Sequence, residues 1–367
     1  MTELEILVRL NLSGMVGSSL LRRLLEHVEL ARILRLSRRD LERVPGIGPI
    51  TSKAIVEAPD PGPELALAAS HGIEILPSTS PQYPPALRSL YDHPVVLYRR
   101  GAMTDADRLA IGIVGSRDCT EYGRRQALRF AEELARLRVT VVSGLARGTD
   151  TAAHRGALRA PEGRTIAFLG CGLLRTYPPE NARLLDEICS RGAAFSEFPL
   201  RAEPETVNFP RRNRLISGLS QGVLVVEAAE RSGALITADW ALEQGRDVFC
   251  LPGSVESPLS RGCHRLIKQG AKLVEGPADI LEEIPAFAAL VDPPVPLGAL
   301  ERAVLRRLGP SAATAEAVAA STRLPLRSVE QALRTLIGKG LAAEGPGGSF
   351  SRPAAGDTMA RHGRVPL

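Results

Sequence analysis

No two cysteines in this 367-residue sequence form a CxxC pair. The five present (Cys119, Cys171, Cys189, Cys250 and Cys263) are odd in number and scattered. That pattern speaks against a disulfide framework or a structural zinc site and fits a reducing compartment. No apolar run approaches the length of a membrane span, and the opening MTELEILVRLNLSG has no basic stretch followed by an apolar one. The expected location is therefore the cytoplasm, away from any membrane. The six histidines lie far apart, so neither a metal site nor a cofactor is expected from them. Lysine is scarce as well. Arginine carries most of the 46 basic charges, which exceed the 41 acidic ones to leave a net +5 and a pI near 9.1. Such a balance accommodates an acidic partner without requiring one.

What is present is ordinary globular material, 44% hydrophobic and 24% charged, over a length that predicts two or three domains. Residues 1–60 read as a string of short helices, clearest where Leu20, Leu21, Leu24, Leu25 and Val28 recur at helical intervals. The segment Val44–Ile55 (VPGIGPITSKAI) resembles a helix-hairpin-helix turn. Gly46 and Gly48 would then offer backbone N–H groups to a phosphate, with Lys53 nearby. A plain helical-bundle turn explains the glycines equally well. A proline-rich linker is expected at Ala58–Pro63 (APDPGP).

From Leu109 to Ile284 strand and helix patterns alternate. The strands are Leu109–Val114, Val139–Val142, Thr165–Leu169, Ala193–Phe198, Gly222–Val226, Asp247–Leu251 and Lys272–Val274. The clearest helices are Glu121–Leu137, Thr149–Leu158, Glu180–Ser190 and Ala234–Gln244. The fold class expected is α/β, an extended Rossmann-like, doubly wound parallel sheet over about 72–286. A helical module resembling the SAM or helix-hairpin-helix type precedes it. A second linker, Asp292–Pro296, leads to three helices and a hairpin that suggest a winged helix over 297–352. Its third helix carries Arg327 and Arg334 but also Glu330. Residues 353–367 read as a polar, disordered tail.

Two glycine loops end adjacent strands, GIVGSRD at Gly112–Asp118 and SGLARGTD at Ser143–Asp150. Ligands of such sheets sit at the carboxyl ends of the strands, where helix N-termini favour anions. The loop spacing is wrong for the dinucleotide fingerprint, the second strand ends in Ser143-Gly144 where a ribose carboxylate is needed, and the Walker pattern is absent. A phosphoribohydrolase-type nucleotide enzyme remains as the alternative. It needs a PGGxGTxxE helix start, whereas this chain has AERSGALIT at Ala229–Thr237, with Glu227 and Glu230 as its only candidate acids. Their plainer role is to orient the following helix. His154 is expected to face the glycine loop and tether it.

The third possibility is a strand of nucleic acid held by a basic groove and a stacking face. Asn208–Ser220 (NFPRRNRLISGLS) sets Arg211, Arg212 and Arg214 between apolar residues, where an unpaired guanidinium is costly without an anion. Phe209 supplies a stacking face. The competing reading pairs these arginines with Glu197, Glu203 and Glu205.

GIVGSR, SGLARGTDTAAHRGAL, FPRRNRLISGLS, VVEAAERSGALITADWALEQGRDVFCLPG and GCHRLIKQGAKLV together resemble the DNA-processing protein A (DprA/Smf) family, in order, over about Ile75–Ile284. The resemblance implies a protein without enzymatic activity that binds single-stranded DNA during natural transformation. It also implies loading of the RecA recombinase, help in displacing single-strand binding protein, and a homodimer. Carried onto this sequence, the DNA site comprises Ser116, Arg117, Ser143, Gly144, Arg147, Gly148, Phe209, Arg211, Arg212, Asn213 and Arg214. The arginines would grip phosphates and Phe209 would pack on a base or sugar. Leu266 and Ile267 would anchor the dimer, unless their helix is simply core. Thr149 stands where the family often has isoleucine, a change that leaves the loop intact.

Overall fold

The computed structural model describes residues 1–287, 290, 298–309, 312–322, 324–339, 341–345 and 348–351. The second linker, Asp292–Pro296, and the tail 353–367 lie outside the described residues. The chain divides into two compact units, Met1–Val291 and Asp292–Leu367.

The first unit opens with six helices: α1 (Glu3–Leu12), α2 (Ser18–His27), α3 (Leu30–Ile33), α4 (Arg38–Glu42), α5 (Pro49–Val56) and α6 (Gly62–Ser70). Their leucines, Leu20, Leu21 and Leu24 among them, are buried together with Leu169, Cys171 and Leu200 from the edge of the sheet region. Two hydrogen bonds fasten this join: Asn11 Nδ2 donates to the Glu197 carbonyl at 3.1 Å, and the Leu200 N–H donates to Glu64 Oε1 at 2.7 Å. The proline-rich segment differs from the expected linker. Ala58 is buried and its carbonyl accepts from Arg9, and α6 starts at Gly62 with proline in its first turn. Proline is tolerated there because those N–H groups have no intrahelical acceptor.

Nine strands follow in one sheet. In chain order they are β1 (Glu74–Pro77), β2 (Val96–Gly101), β3 (Ala110–Val114), β4 (Thr140–Ser143), β5 (Thr165–Phe168), β6 (Ala193–Ser196), β7 (Gly222–Val225), β8 (Asp247–Cys250) and β9 (Lys272–Leu273). The spatial order is β1-β2-β6-β5-β4-β3-β7-β8-β9. The strands from β6 to β9 pair in parallel, whereas β2 pairs antiparallel with both β1 and β6. All seven expected strands of the α/β region form, and β1 and β2 extend its edge.

The helices between them are α7 (Pro85–Arg88), α8 (Glu121–Arg136), α9 (Thr149–Arg159), α10 (Ala182–Arg191), α11 (Asn208–Leu219), α12 (Gly233–Glu243), α13 (Arg261–Lys268) and α14 (Pro277–Glu283). Strand periodicity sorts β3 between the two faces. Ile111 and Ile113 pack with Phe130 of α8 and Ala153 of α9, while Ala110 and Val114 pack with Leu215 of α11 and Leu235 of α12. The chain order reverses at β3, whose neighbours are β4 and β7. Loops leaving the carboxyl ends of β3 and β7 turn to opposite faces there, which opens a crevice of the kind that holds ligands in doubly wound sheets.

In the second unit, α15 (Ala299–Arg307), α16 (Ala315–Thr322) and α17 (Leu326–Gly338) pack around Val304, Val318, Val329 and Leu333. A small sheet of order β10-β12-β11 joins Ala313–Thr314, Ser349–Ser351 and Ala343–Gly345. Arg327 and Arg334 of α17 are exposed. Among the described residues no helix is long and apolar enough to cross a membrane.

Candidate nucleic-acid interface

The loop after β3 is tied to the start of α9. The Ser116 N–H donates to the Glu227 carbonyl at 2.7 Å, and the Ser116 carbonyl accepts from both the N–H and the hydroxyl of Thr149 at 3.1 Å. Gly148 closes the second loop at φ +71°, where an added Cβ would collide with the carbonyls of Ser116 and Arg117. Among the described residues the backbone N–H groups of Arg117, Arg147 and Gly148 have no internal acceptor. They lie at the N-terminus of the 11-residue α9. Two loops with free N–H groups at a helix start make a concavity suited to an anion. The Ser116 hydroxyl accepts from the Asp118 N–H at 3.2 Å and keeps its own proton for a further acceptor.

Beneath this rim the side chains are engaged with one another. Asp150 accepts from the N–H groups of Gly144 and Ala146 at 3.2 and 3.3 Å. Burial pushes its carboxyl up, against the pull of nearby Arg212. Arg212 is 4% exposed; it donates to the Gly144 carbonyl at 2.6 Å and to the Phe168 carbonyl. Burial lowers the Arg212 guanidinium to about 10, against the pull of Asp150. A Cβ at Gly144 would lie 2.5 Å from that guanidinium, so glycine is needed for the close approach. Asn213 accepts from Arg212 Nε at 3.1 Å and donates to the Gly233 carbonyl at 3.2 Å. The Ser143 hydroxyl, fully buried, donates to the Ile113 carbonyl at 2.6 Å.

Arg214 is 3% exposed and forks onto Glu197 at 2.7 and 3.0 Å, with Asp92 Oδ2 a further 2.7 Å away. Burial lowers its guanidinium, but Glu197 and Asp92 outweigh that and the net shift is upward. Arg211 is outside, with its side chain 48% exposed, 3.0 Å from Glu197 and over the Phe198 ring.

One ground for expecting Arg212 and Arg214 to grip phosphate, beside the family resemblance, is that an unpaired guanidinium in an apolar setting needs an anion. Both have internal partners, so that argument lapses for them, and the competing pairing with Glu197 describes Arg211 and Arg214. Pro210 is tolerated in the first turn of α11, and packing of that helix against the sheet buries Arg212 and Arg214. Buried Ser143 and Gly144 likewise shape the floor, and part-exposed Asn213 borders it. Ser116, Arg117, Arg147, Gly148, Phe209 and Arg211 reach the surface.

At the rim the Arg117 guanidinium stands 5.1 Å from the centroid of Phe209, whose other neighbour is Tyr177 with ring centroids 5.6 Å apart. A small cavity of about 20 Å³ is lined by Arg117, Gly144, Ala146, Arg147, Tyr177, Pro178 and Phe209. Arg147 pairs with Glu180 there. Four of the sequence-derived residues, Arg117, Gly144, Arg147 and Phe209, thus meet at one place, whereas Arg211 lies off that lining. Tyr177 and Glu180 were missed. The only signal for either was proximity to the glycine loops once folded.

Other sequence-derived residues stand apart. Gly46 and Gly48 form the turn between α4 and α5, with Gly48 as the N-cap of α5; exposed Lys53 lies 3.9 Å from Glu57. Leu266 is 3% exposed and belongs to the core with Val248 and Cys250, because α13 turns that side chain onto the sheet. Of the proposed dimer pair, Ile267 alone is partly exposed. His154 faces β5 and not the loop. Its Nδ1 meets the Thr165 hydroxyl at 2.7 Å, and burial, with Arg212 adding to it, lowers its pKa to about 3. Glu227 accepts from the Thr120 N–H and hydroxyl at 2.8 and 2.6 Å, so it holds the start of α8 and not that of the helix that follows it. Exposed Glu230 lies 4.0 Å from Arg261. Among the described residues no group of His, Cys, Asp or Glu side chains is arranged to hold a metal ion.

Residues 74–285 match the family of DNA recombination-mediator protein A. Protein Smf of Escherichia coli is 50% identical over 211 residues, which are 57% of this chain and 56% of that one. The chain thus matches little more than half the length of that relative. The solved structure of DNA processing protein A from Streptococcus pneumoniae is 36% identical with a TM-score of 0.67, over 77% of this chain and 98% of that one. A structure of the Helicobacter pylori protein, described for its single-stranded DNA binding mode, is 30% identical with a TM-score of 0.52, over 57% and 94%.

Proposed function

The chain belongs to the DNA recombination-mediator protein A family, and from that footing we propose that it binds single-stranded DNA at the carboxyl edge of its sheet. In this reading it protects incoming strands and loads the RecA recombinase onto them during natural transformation, displacing single-strand binding protein and working as a homodimer in the cytoplasm. The observation that carries the reading is the rim itself. Exposed Arg117 stacks on Phe209 beside Arg147, over loop N–H groups without internal acceptors. Charge-assisted bonds to phosphate and an aromatic face for a base are the two parts a single-strand site needs. The Helicobacter pylori relative, described as binding single strands, lends the same direction.

Binding without chemistry fits the acids at hand. Asp150, Glu197 and Glu227 are buried and each accepts from internal donors, so these three serve as structural acceptors. Within this proposal, residues 1–60 form the helical module, 72–286 the strand-binding domain and 297–352 a winged helix. Gly46, Gly48 and Lys53 are a secondary contact with DNA. The dimer would use the surface on which Ile267 emerges.

The test is competition between a labelled single strand and its duplex, followed by RecA-driven strand exchange. The single strand should win at every salt concentration, and exchange should start sooner when the protein is present. Equal affinity for duplex, or exchange unaffected by the protein, would count against the proposal.

A further inference from the structure

A second and much larger cavity adjoins the rim. It measures about 720 Å³, opens between α8 and α9, and is lined by six arginines: Arg117, Arg147, Arg124, Arg125, Arg155 and Arg159. Only three acids share the lining, Asp118, Glu121 and Glu180. Glu121 lies 3.5 Å from Arg124, and Glu180 pairs with Arg147. Arg125, Arg155 and Arg159 have no carboxylate within 4.0 Å among the described residues. The packing of the two helices does not call for these charges. Ala127, Ala131, Ala152, Ala153 and Ala157 form the contact, and Gly156 packs against the Leu128 carbonyl. The four guanidiniums without a carboxylate partner among the described residues, Arg117, Arg125, Arg155 and Arg159, repel one another across the cleft, and an anion that follows it removes that repulsion.

We infer that this cleft is a second phosphate subsite, taking the sugar-phosphate backbone that flanks the nucleotide held at the rim. The inference rests on the single-strand reading given above. Arg117 and Arg147 line both cavities, so a strand passes from one to the other without leaving the protein. Arg155 and Arg159 stand four residues apart on one face of α9, about 6 Å along its axis, a spacing comparable to that of successive phosphates in an extended strand. The two cavities differ in chemistry. Tyr177 and Phe209 line the small one, whereas no aromatic side chain lines the large one. The large cleft therefore reads charge and length, not base identity.

The experiment uses the full chain and the triple variant Arg125→Ala/Arg155→Ala/Arg159→Ala, all three side chains being exposed. Labelled oligothymidylates from a few to a few tens of nucleotides are titrated at several salt concentrations. Wild type should gain affinity with length. The variant should bind the shortest strand as wild type does and lose most of that gain. Its salt slope on long strands should be shallower by about 2, three phosphate contacts at roughly 0.7 each. A variant that keeps the full length dependence and slope overturns the cleft while leaving the rim intact. Equal losses on short and long strands also overturn it, since the cleft would then be part of the first site. A wild-type protein that binds no strand overturns the rim reading and this inference together.

Discussion

Arg117 and Arg147 on the one hand, and Arg212 and Arg214 on the other, belong to the same corner of the sheet and meet opposite conditions. The first pair stands at the surface, one guanidinium over an aromatic ring and the other beside Glu180. The second pair lies below, 4% and 3% exposed, gathering the carbonyls of Gly144 and Phe168 and the carboxylates of Glu197 and Asp92. A buried guanidinium with a full set of acceptors holds elements together. An exposed one held by a single contact can exchange that contact for a phosphate. The comparison assigns stability to the floor and affinity to the rim, and variants can separate the two.

The largest effect is expected at the floor. Arg214→Ala leaves Glu197 buried with only Arg211 beside it, and breaking a buried pair this way costs about 3–5 kcal/mol. Urea unfolding should show that loss; a midpoint like that of wild type would break the division. Next comes Phe209→Ala, which removes the stacking face and the platform of Arg117 and should cost about 1–3 kcal/mol of strand binding. Unchanged anisotropy would demote Phe209 to packing. Arg117→Ala alone should lower affinity roughly ten-fold, about 1.4 kcal/mol, with no change in unfolding midpoint. A shifted midpoint would move Arg117 to the floor group.

The smallest effect concerns pH. His154 is neutral when folded, with a pKa near 3 against 6.5 for the free group. Between those values the unfolded chain takes up a proton that the folded chain refuses, so stability falls as pH falls, and above about 6.5 the group contributes no slope. From pH 6.5 to 5.5 the loss should be about 1 kcal/mol, and His154→Gln should flatten it. An equal slope in both proteins would place the titration elsewhere.

Much of this was legible in the chain. Short apolar runs alternating with helical periodicity mark the seven strands β3 to β9 and the four clearest helices, because each signal is local. β1 and β2 were legible only as extended segments, since nothing in Gly72–Gly101 states that they pair antiparallel with β6. The floor was harder still. In NFPRRNR three arginines fall within four residues, and which of them points inward depends on α11 meeting β4, β5 and Glu197. That last residue is set by a strand end 17 positions from Arg214. The proline-rich segment misled for another reason: PGP followed by ELALAAS marks a helix start as well as a linker.

The most direct test of the central claim is the double rim variant, Arg117→Ala/Arg147→Ala, measured for single-strand binding by fluorescence anisotropy across salt and for unfolding in urea. The account predicts affinity lost by roughly a hundred-fold, a salt slope shallower than that of wild type, and an unchanged unfolding midpoint. Binding like that of wild type in a folded double variant would contradict it.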